Sequence, residues 1–210
     1  LGFANSVGES PKKYLPLPPS ALLEYLSQSH KDKLNNLEDA FKNVEIEDKF
    51  TDFWHLHGYR NIMLKMKELI NNANKKIIIS GWKREFSECK KELMSAKKRG
   101  VRCTIFSFTE VDEKLGKVVS YKLDEDELRK IWTPKIIMVA DHSHTLMGSA
   151  QSVEQSKAIL TQNKAISEIA MNHIILDITL AGQRLGFDSN EYVKDIMRNP
   201  AEDLQSLLRT

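Results

Sequence analysis

The sequence predicts an α/β fold: a mixed sheet flanked by helices and preceded by one long coiled-coil helix. Three observations predict it. From Thr51 onward, short apolar runs alternate with amphipathic helical stretches. A heptad seam comes before them. The length, 210 residues, suits one core plus a small addition. With 41% hydrophobic and 29% charged residues the chain can bury that core, which excludes a disordered or collagen-like polymer. No unbroken apolar run approaches the ~18 to 20 residues of a bilayer span, so no membrane partner is expected. Two cysteines, Cys89 on a charged helical stretch and Cys103 in an apolar run, make no disulfide framework, and a reducing cytoplasm is the expected location. The chain carries no leader and starts at Leu1, so a piece of something longer is expected.

The elements follow in order. Residues 1–19 read as a strand remnant, a turn at Gly8-Glu9-Ser10-Pro11, a short second strand from Lys12 to Leu17, and a proline pair suited to a helix start. Leu23, His30, Leu34, Leu37, Phe41 and Val44 then recur at heptad spacing, with Ser27 at the one weak position. Such a seam either packs on its own domain or pairs with a second chain. Its narrowness and charged flanks favour a homodimer. A helix from Gly58 to Asn74 leads into strand Lys76 to Ser80, and a second helix from Arg84 to Lys98 ends at Gly100 before strand Val101 to Phe108. Strand Lys117 to Lys122, an acidic loop or helix over 124–130, strand Lys135 to Ala140, a turn at 141–144, and strands Thr145 to Gly148 and Lys157 to Thr161 complete a mixed sheet. A long helix from Asn163 to Leu185 follows. Two short helices, opened near Asp188 and Asn199, close the chain.

Net charge is only +2, but residues 58–135 carry +8 while 20–57 carry −4 and 136–210 carry −3. Most of the middle bases sit on one amphipathic helix, where a solvated face explains them as simply as phosphate binding does.

Two His-x-His pairs, His55/His57 and His142/His144, stand near Asp52 and Asp141, but no cysteine or glutamate recurs at ligand spacing, so neither metal nor cofactor is expected. No phosphate-loop, dinucleotide or serine-hydrolase motif is present. Ligands of open α/β sheets sit at strand carboxyl ends. That rule gathers Ser80, Gly81, Trp82, Ser107, Asp141 and Ser143, and hydroxyls with a carboxylate beside an indole suit a polyol. Asp141 is expected to be indispensable to such binding.

With these elements placed, Lys97 to Ile105 (KKRGVRCTI) resembles a helix–strand junction of phospholipase D-like domains, and Val139 to Ser149 (VADHSHTLMGS) resembles their strand pair ending in Gly-Ser. Gly148 and Ser149 thereby join the expected ligand-binding set. Upstream, Gly2-Phe3, Pro11-Lys12-Lys13-Tyr14 and Pro18-Pro19 are similar to the wing end and linker of TrmB-family transcriptional regulators. The resemblance implies a winged-helix remnant over 1–19, a dimerising coiled coil over 20–50 and a phospholipase D-like effector-binding domain over 51–210. It also implies DNA as a partner through a helix-turn-helix before residue 1, with Lys12, Lys13 and Tyr14 touching phosphates when the wing is intact, and a small-molecule effector, a sugar in the founding members. The catalytic His-x-Lys of the phospholipases is matched by Thr133-Pro134-Lys135, where threonine has no titrating imidazole. Asp141 lies one residue out of their spacing, and Gln151 or Ser152 stands where they carry asparagine. The expectation is a sensor that does not turn its ligand over. The alternative is a residual phosphodiesterase with His142 or His144 substituting.

Overall fold

The computed structural model describes residues 4–7, 13–16, 18–42, 53–151 and 155–197. The chain divides into two compact units, residues 1–49 and 50–210. In the first, β1 (Ala4–Val7) and β2 (Lys13–Pro16) pair antiparallel, with Ala4 opposite Pro16 and Val7 opposite Lys13. The expected turn at 8–11 and Lys12 lie outside the described residues. Helix α1 (Pro19–Lys42) starts on Pro19, whose missing N–H and fixed φ suit the first helical position. Leu23, Leu34 and Leu37 of its seam are about half to two-thirds exposed, and His30 is exposed too. Phe41 lies in the last turn, and Val44 falls outside the described residues.

The second unit is built on seven strands in the order β3-β9-β8-β7-β4-β5-β6. These are β3 (Trp54–His57), β4 (Lys76–Gly81), β5 (Arg102–Thr109), β6 (Lys117–Leu123), β7 (Lys135–Ala140), β8 (His144–Ser149) and β9 (Lys157–Thr161). β4, β5 and β6 run parallel, whereas β7 is antiparallel to β4 and each strand from β7 out to β3 reverses again. The sheet is therefore mixed, as the sequence predicts.

β4 shows why a continuous isoleucine run reads as a central strand. Successive side chains point to opposite faces. Ile77 and Ile79 enter the core under α2 (Tyr59–Asn72) and α4 (Lys90–Lys98), beside Ile62, Met66, Ile70 and Leu93. Ile78 enters the other core with Phe106 and Val139, under α6 (Lys164–Leu185). All three isoleucines are essentially inaccessible, so both faces are closed at mid-sheet. α6 is apolar and long enough to cross a bilayer by composition, yet its inner side, including Met171, Ile174 and Ile178, is buried against the sheet.

Two departures from the sequence reading, and one alternative that it leaves open, have physical causes. β3 is no strand in the sequence reading because its partner among the described residues, β9, lies about a hundred residues onward, and four residues carry little periodicity of their own. The helix expected from Arg84 to Lys98 is two helices, α3 (Lys83–Glu88) and α4, meeting at the fully buried Cys89, whose φ of −96° and ψ of 8° leave the helical range. Residues 124–130, open between loop and helix, form α5 (Glu125–Ile131), because the Asp124 carboxylate caps the N–H groups of Asp126 and Glu127. Asn163 caps α6 in the same way. Of the two closing helices, α7 (Asn190–Ile196) is present and the one expected at Asn199 falls outside the described residues.

Candidate functional site

Sheet polarity divides the expected site in two. β4 and β5 are parallel, so Ser80, Gly81, Trp82 and Ser107 lie together at one end of the sheet. β7 runs the other way, so its carboxyl end, with Asp141 and Ser143, lies at the opposite end, while its first residue, Lys135, joins the Ser80 group. Six strand steps of ~3.3 Å put Lys135 and Asp141 roughly 20 Å apart. A single pocket holding all eight residues is not formed, because the strand-end rule presumes parallel strands.

At the first end much of the expected set is occupied internally. Ser107 and Thr109 are buried: their hydroxyls lie 3.1 Å apart, and the Thr109 oxygen accepts the Lys83 N–H at 2.8 Å. Trp82 is only 4% exposed, with the Arg129 guanidinium 5.4 Å over its ring. Its backbone N–H donates to Glu85 Oε2 at 3.2 Å, starting α3. Sequence reading missed Arg84, Glu85 and Tyr59. The Arg84 guanidinium lies 4.0 Å over the Tyr59 ring, its Nε meets Glu85 Oε1 at 3.1 Å, and its Nη2 donates to the Ala150 carbonyl at 2.6 Å. The Tyr59 hydroxyl donates to the same Glu85 oxygen at 3.3 Å. Burial pushes the Glu85 carboxyl above its ordinary range while Arg84 pulls it back. The only hint in the sequence was a charged pair directly after a strand end.

Gly148 serves the backbone. A Cβ there would stand 2.2 Å from the Lys157 carbonyl and 2.4 Å from the Ala158 Cα, so β8 and β9 approach as closely as they do only over a glycine. Gly148→Ala is expected to cost about 1–3 kcal/mol by forcing these strands apart, read as a fall in urea midpoint. An unchanged midpoint would count against this role.

Next to it, an open groove of about 500 Å³ is lined by two rows of residues. Its outer row runs Lys135, Ser149, Lys157 and His57 across β7, β8, β9 and β3. Its inner row runs Ile137, Met147, Ile159 and His55. Ser149 Oγ accepts the Lys157 N–H at 3.2 Å, which joins the strands, and Thr133 also lines the groove. Among the described residues no carboxylate lines this groove, whose lining sets two lysines and a serine against an apolar floor. His57 stands three strands from Lys135, roughly 14 Å by strand spacing, and His142 and His144 lie at the far end of β7. Neither pair puts an imidazole beside Lys135.

At the opposite end, Asp141 clamps two turns. Its Oδ1 accepts the N–H groups of Lys75 and Lys76 and its Oδ2 that of Asn74, at 2.8–2.9 Å. Asp141 and His142 both hold positive φ, +50° and +59°, as a tight hairpin requires. Burial pushes the Asp141 carboxyl up, but these three bonds outweigh it and hold it below its ordinary range. The carboxylate expected to bind effector is thus engaged by backbone. Beside it a cleft of about 540 Å³ opens between Trp54, Ser143, His144 and Gln162.

The histidine pairs divide likewise. His55 and His57 share a face of β3, whereas His142 Nδ1 contacts Met171 Sδ at 3.0 Å and His144 turns to Ser143 and Gln162. Among the described residues no three His, Cys, Asp or Glu side chains converge for a metal ion. Burial pushes the thiols of Cys89 and Cys103 up to about 12 and about 11, which leaves them as packing groups. Lys13 and Tyr14 lie on β2.

The family profile described as "Transcriptional regulator TrmB, EBD N-terminal subdomain" matches residues 52–176, well over half of the chain. The chain belongs to the TrmB family. It is similar to the Bacillus subtilis protein YrhO, 23% identical over 176 residues covering 83% of this chain and 64% of that one. It is also similar to TrmBL1 of Pyrococcus furiosus, an HTH-type sugar sensing transcriptional regulator, 26% identical over 82 residues covering 38% of this chain and 24% of that one. It thus spans less than two-thirds of either relative. Structural matches include the archaeal chromatin protein TrmBL2, with a TM-score of 0.45, 16% identity, and 82% of this chain and 74% of that one covered. They also include Nuc of Salmonella typhimurium, a phospholipase D family member, with a TM-score of 0.45, 15% identity, and 60% and 93% covered. The TrmB profile begins at residue 52, just before β3, and ends inside α6. It takes in both the basic groove and the Asp141 clamp.

Proposed function

We propose that this part of a TrmB-family regulator is its dimerising, effector-sensing region, and that the effector is a small polar ligand seated in the groove of Lys135, Ser149 and Lys157. One observation carries the reading: an open groove with two lysines, a serine hydroxyl and an apolar floor, and no carboxylate among its described lining residues. Such a lining favours a ligand with an anionic group and an apolar face, and a phosphorylated sugar has both. The description of TrmBL1 as sugar sensing supports a sugar moiety. The ligand is bound and not cleaved. Thr133 offers no titrating nitrogen, and the histidines of the groove stand strands away from Lys135. The exposed leucine seam of α1 pairs two chains, and ligand occupancy reaches DNA through differential affinity for two arrangements of that dimer.

The test uses the 210-residue chain with glucose 6-phosphate and inorganic phosphate. Binding at about 100 times the dissociation constant is expected to add about 2.7 kcal/mol of stability, and Lys135→Ala with Lys157→Ala should remove it. Leu34→Asp with Leu37→Asp should turn a sedimenting dimer into a monomer that still responds. No response to either anion would overturn the site. Turnover of bis(p-nitrophenyl) phosphate that disappears in Lys135→Ala would overturn the sensor in favour of a phosphodiesterase.

A further inference from the structure

The inner side of α6 is buried against the sheet, but on its outward side Ile169, Leu176 and Leu180 are 61%, 67% and 41% exposed. At 3.6 residues per turn the three fall within a band about 40° wide. From 169 to 183 the chain has one acidic residue, Asp177, and no lysine or arginine, and Asp177 turns to His173 at 3.6 Å. A stripe of large apolar side chains with so little charge marks an interaction face and not a solvated one. We propose that this stripe docks on the same stripe of a second copy of the chain, the two helices running antiparallel and meeting at Leu176.

The order of charges selects both the occupant and its direction. Lys164, Glu168, Arg184 and Asp188 follow one another along α6 and the turn after it, with signs plus, minus, plus, minus. Glu168 and Arg184 are each eight residues from Leu176, and Lys164 and Asp188 are each twelve. Two antiparallel copies centred on Leu176 therefore bring Glu168 level with the partner's Arg184, and Lys164 beside the turn that carries the partner's Asp188, each twice by symmetry. A parallel pair would set like against like and align the helix dipoles. At the centre Leu176 meets its own copy, and Leu180 comes within about 4.5 Å of rise of the partner's Ile169. The helices on the other face of the sheet offer no such match. α4 exposes Lys91, Lys97 and Lys98, and two copies of it would repel.

Area decides how the contact works. A 22-residue helix is about 33 Å long, and with axes ~8–10 Å apart it touches its copy along a strip ~10 Å wide. That strip, roughly 330 Å² per partner, is under half of the ~800 Å² that a stable interface uses. Alone the contact is weak. It rests on the reading that α1 pairs two chains, because inside such a dimer docking is intramolecular and needs far less area. A weak second contact forms and breaks while the dimer persists, which supplies one of the two arrangements of that dimer. Ile137 and Met147 of the groove floor pack on the same core as the inner side of α6, so groove and docking face share their support.

The experiment adds single cysteines to the 210-residue chain and follows interchain disulfide formation with glutathione disulfide. Cys89 and Cys103 are buried and stay out of the reaction. Leu176→Cys is expected to crosslink readily, since the two-fold sets this position against itself, whereas Met94→Cys, exposed on α4, should not. Chains with Ile169→Cys and chains with Gln183→Cys should crosslink more after subunit exchange than either does alone, because these positions are level only in the antiparallel pair. Leu180→Glu should slow the Leu176→Cys reaction about tenfold, the equivalent of ~1.4 kcal/mol, and leave the α1 dimer sedimenting as before. With Leu34→Asp and Leu37→Asp the crosslink should need more protein but still form, so failure of the α1 seam and failure of the α6 stripe read separately. Leu176→Cys reacting no faster than Met94→Cys overturns the proposal. Ile169→Cys reacting faster alone than in the mixture overturns it in favour of a parallel pair. Binding of the parent chain to phosphatidylcholine vesicles that Leu176→Glu abolishes overturns it in favour of a lipid surface.

Discussion

Glu85→Ala is expected to cost about 3 kcal/mol of folding stability, the lower end of what removing one partner of a buried pair costs. Glu85 is 1% exposed and accepts from the Trp82 N–H, Arg84 Nε and the Tyr59 hydroxyl. Its loss would take one acceptor from the Arg84 guanidinium, which keeps the Ala150 carbonyl, and one from the buried Tyr59 phenol, and would free the first turn of α3. Arg84 is about one-third exposed, and water relieves it in part, which sets the figure at the lower end. Glu85→Gln keeps the shape and one acceptor and should lose less. Urea unfolding reads the difference. A drop under about 0.5 kcal/mol, the size of an ordinary surface substitution, would show that this cluster holds nothing together. The pH sign also follows. A carboxyl raised by burial contributes most when protonated, so its share of stability shrinks as pH rises through its folded value.

Asp141→Ala is expected to lose about 2–3 kcal/mol, since three backbone N–H groups lose a charged acceptor and alanine must hold a positive φ of 50°. Asp141→Asn tolerates that conformation and keeps one acceptor, so it should fall between. The pH dependence is opposite to that of Glu85. The folded Asp141 carboxyl lies below its ordinary value, so its stabilisation is present above the unfolded value of about 3.9 and disappears as pH falls through the folded one. The gap between the parent chain and Asp141→Ala should therefore be wide at pH 7 and narrow toward pH 3. A gap constant with pH would show that the carboxylate does not carry the clamp. Phosphosugar binding in the groove should survive the substitution, roughly 20 Å away along β7, provided the variant is measured below its unfolding transition.

Asp141 shows how far a sequence could be read and where it stopped. Its place after an apolar strand, before a turn, was legible from the run Lys135 to Ala140 and the polar residues after it. Its contacts were not. Residues 74–76 lie about sixty-five positions earlier and become its neighbours only when β7 lies antiparallel against β4. Glu85 was hidden for a different reason. A glutamate among the charges of an amphipathic helix reads as solvated, and only the packing of α3 under Tyr59 and Ala150 buries it. The heptad leucines of α1 and the isoleucines of β4 were legible because their signal is local, a period carried by the chain itself.

By itself the amino-acid order determined most of the run of helices and strands, the long seam ahead of them, a mixed sheet, and the motifs that resemble TrmB regulators. Periodicity, turn residues and capping side chains act within a few positions of one another, so they can be read before folding. Only the tertiary structure decided which residues share a site. Side chains far apart in the chain meet according to strand direction and order. One reversal, at β7, places Lys135 among the strand ends of β4 and β5 and carries Asp141 to the other end of the sheet.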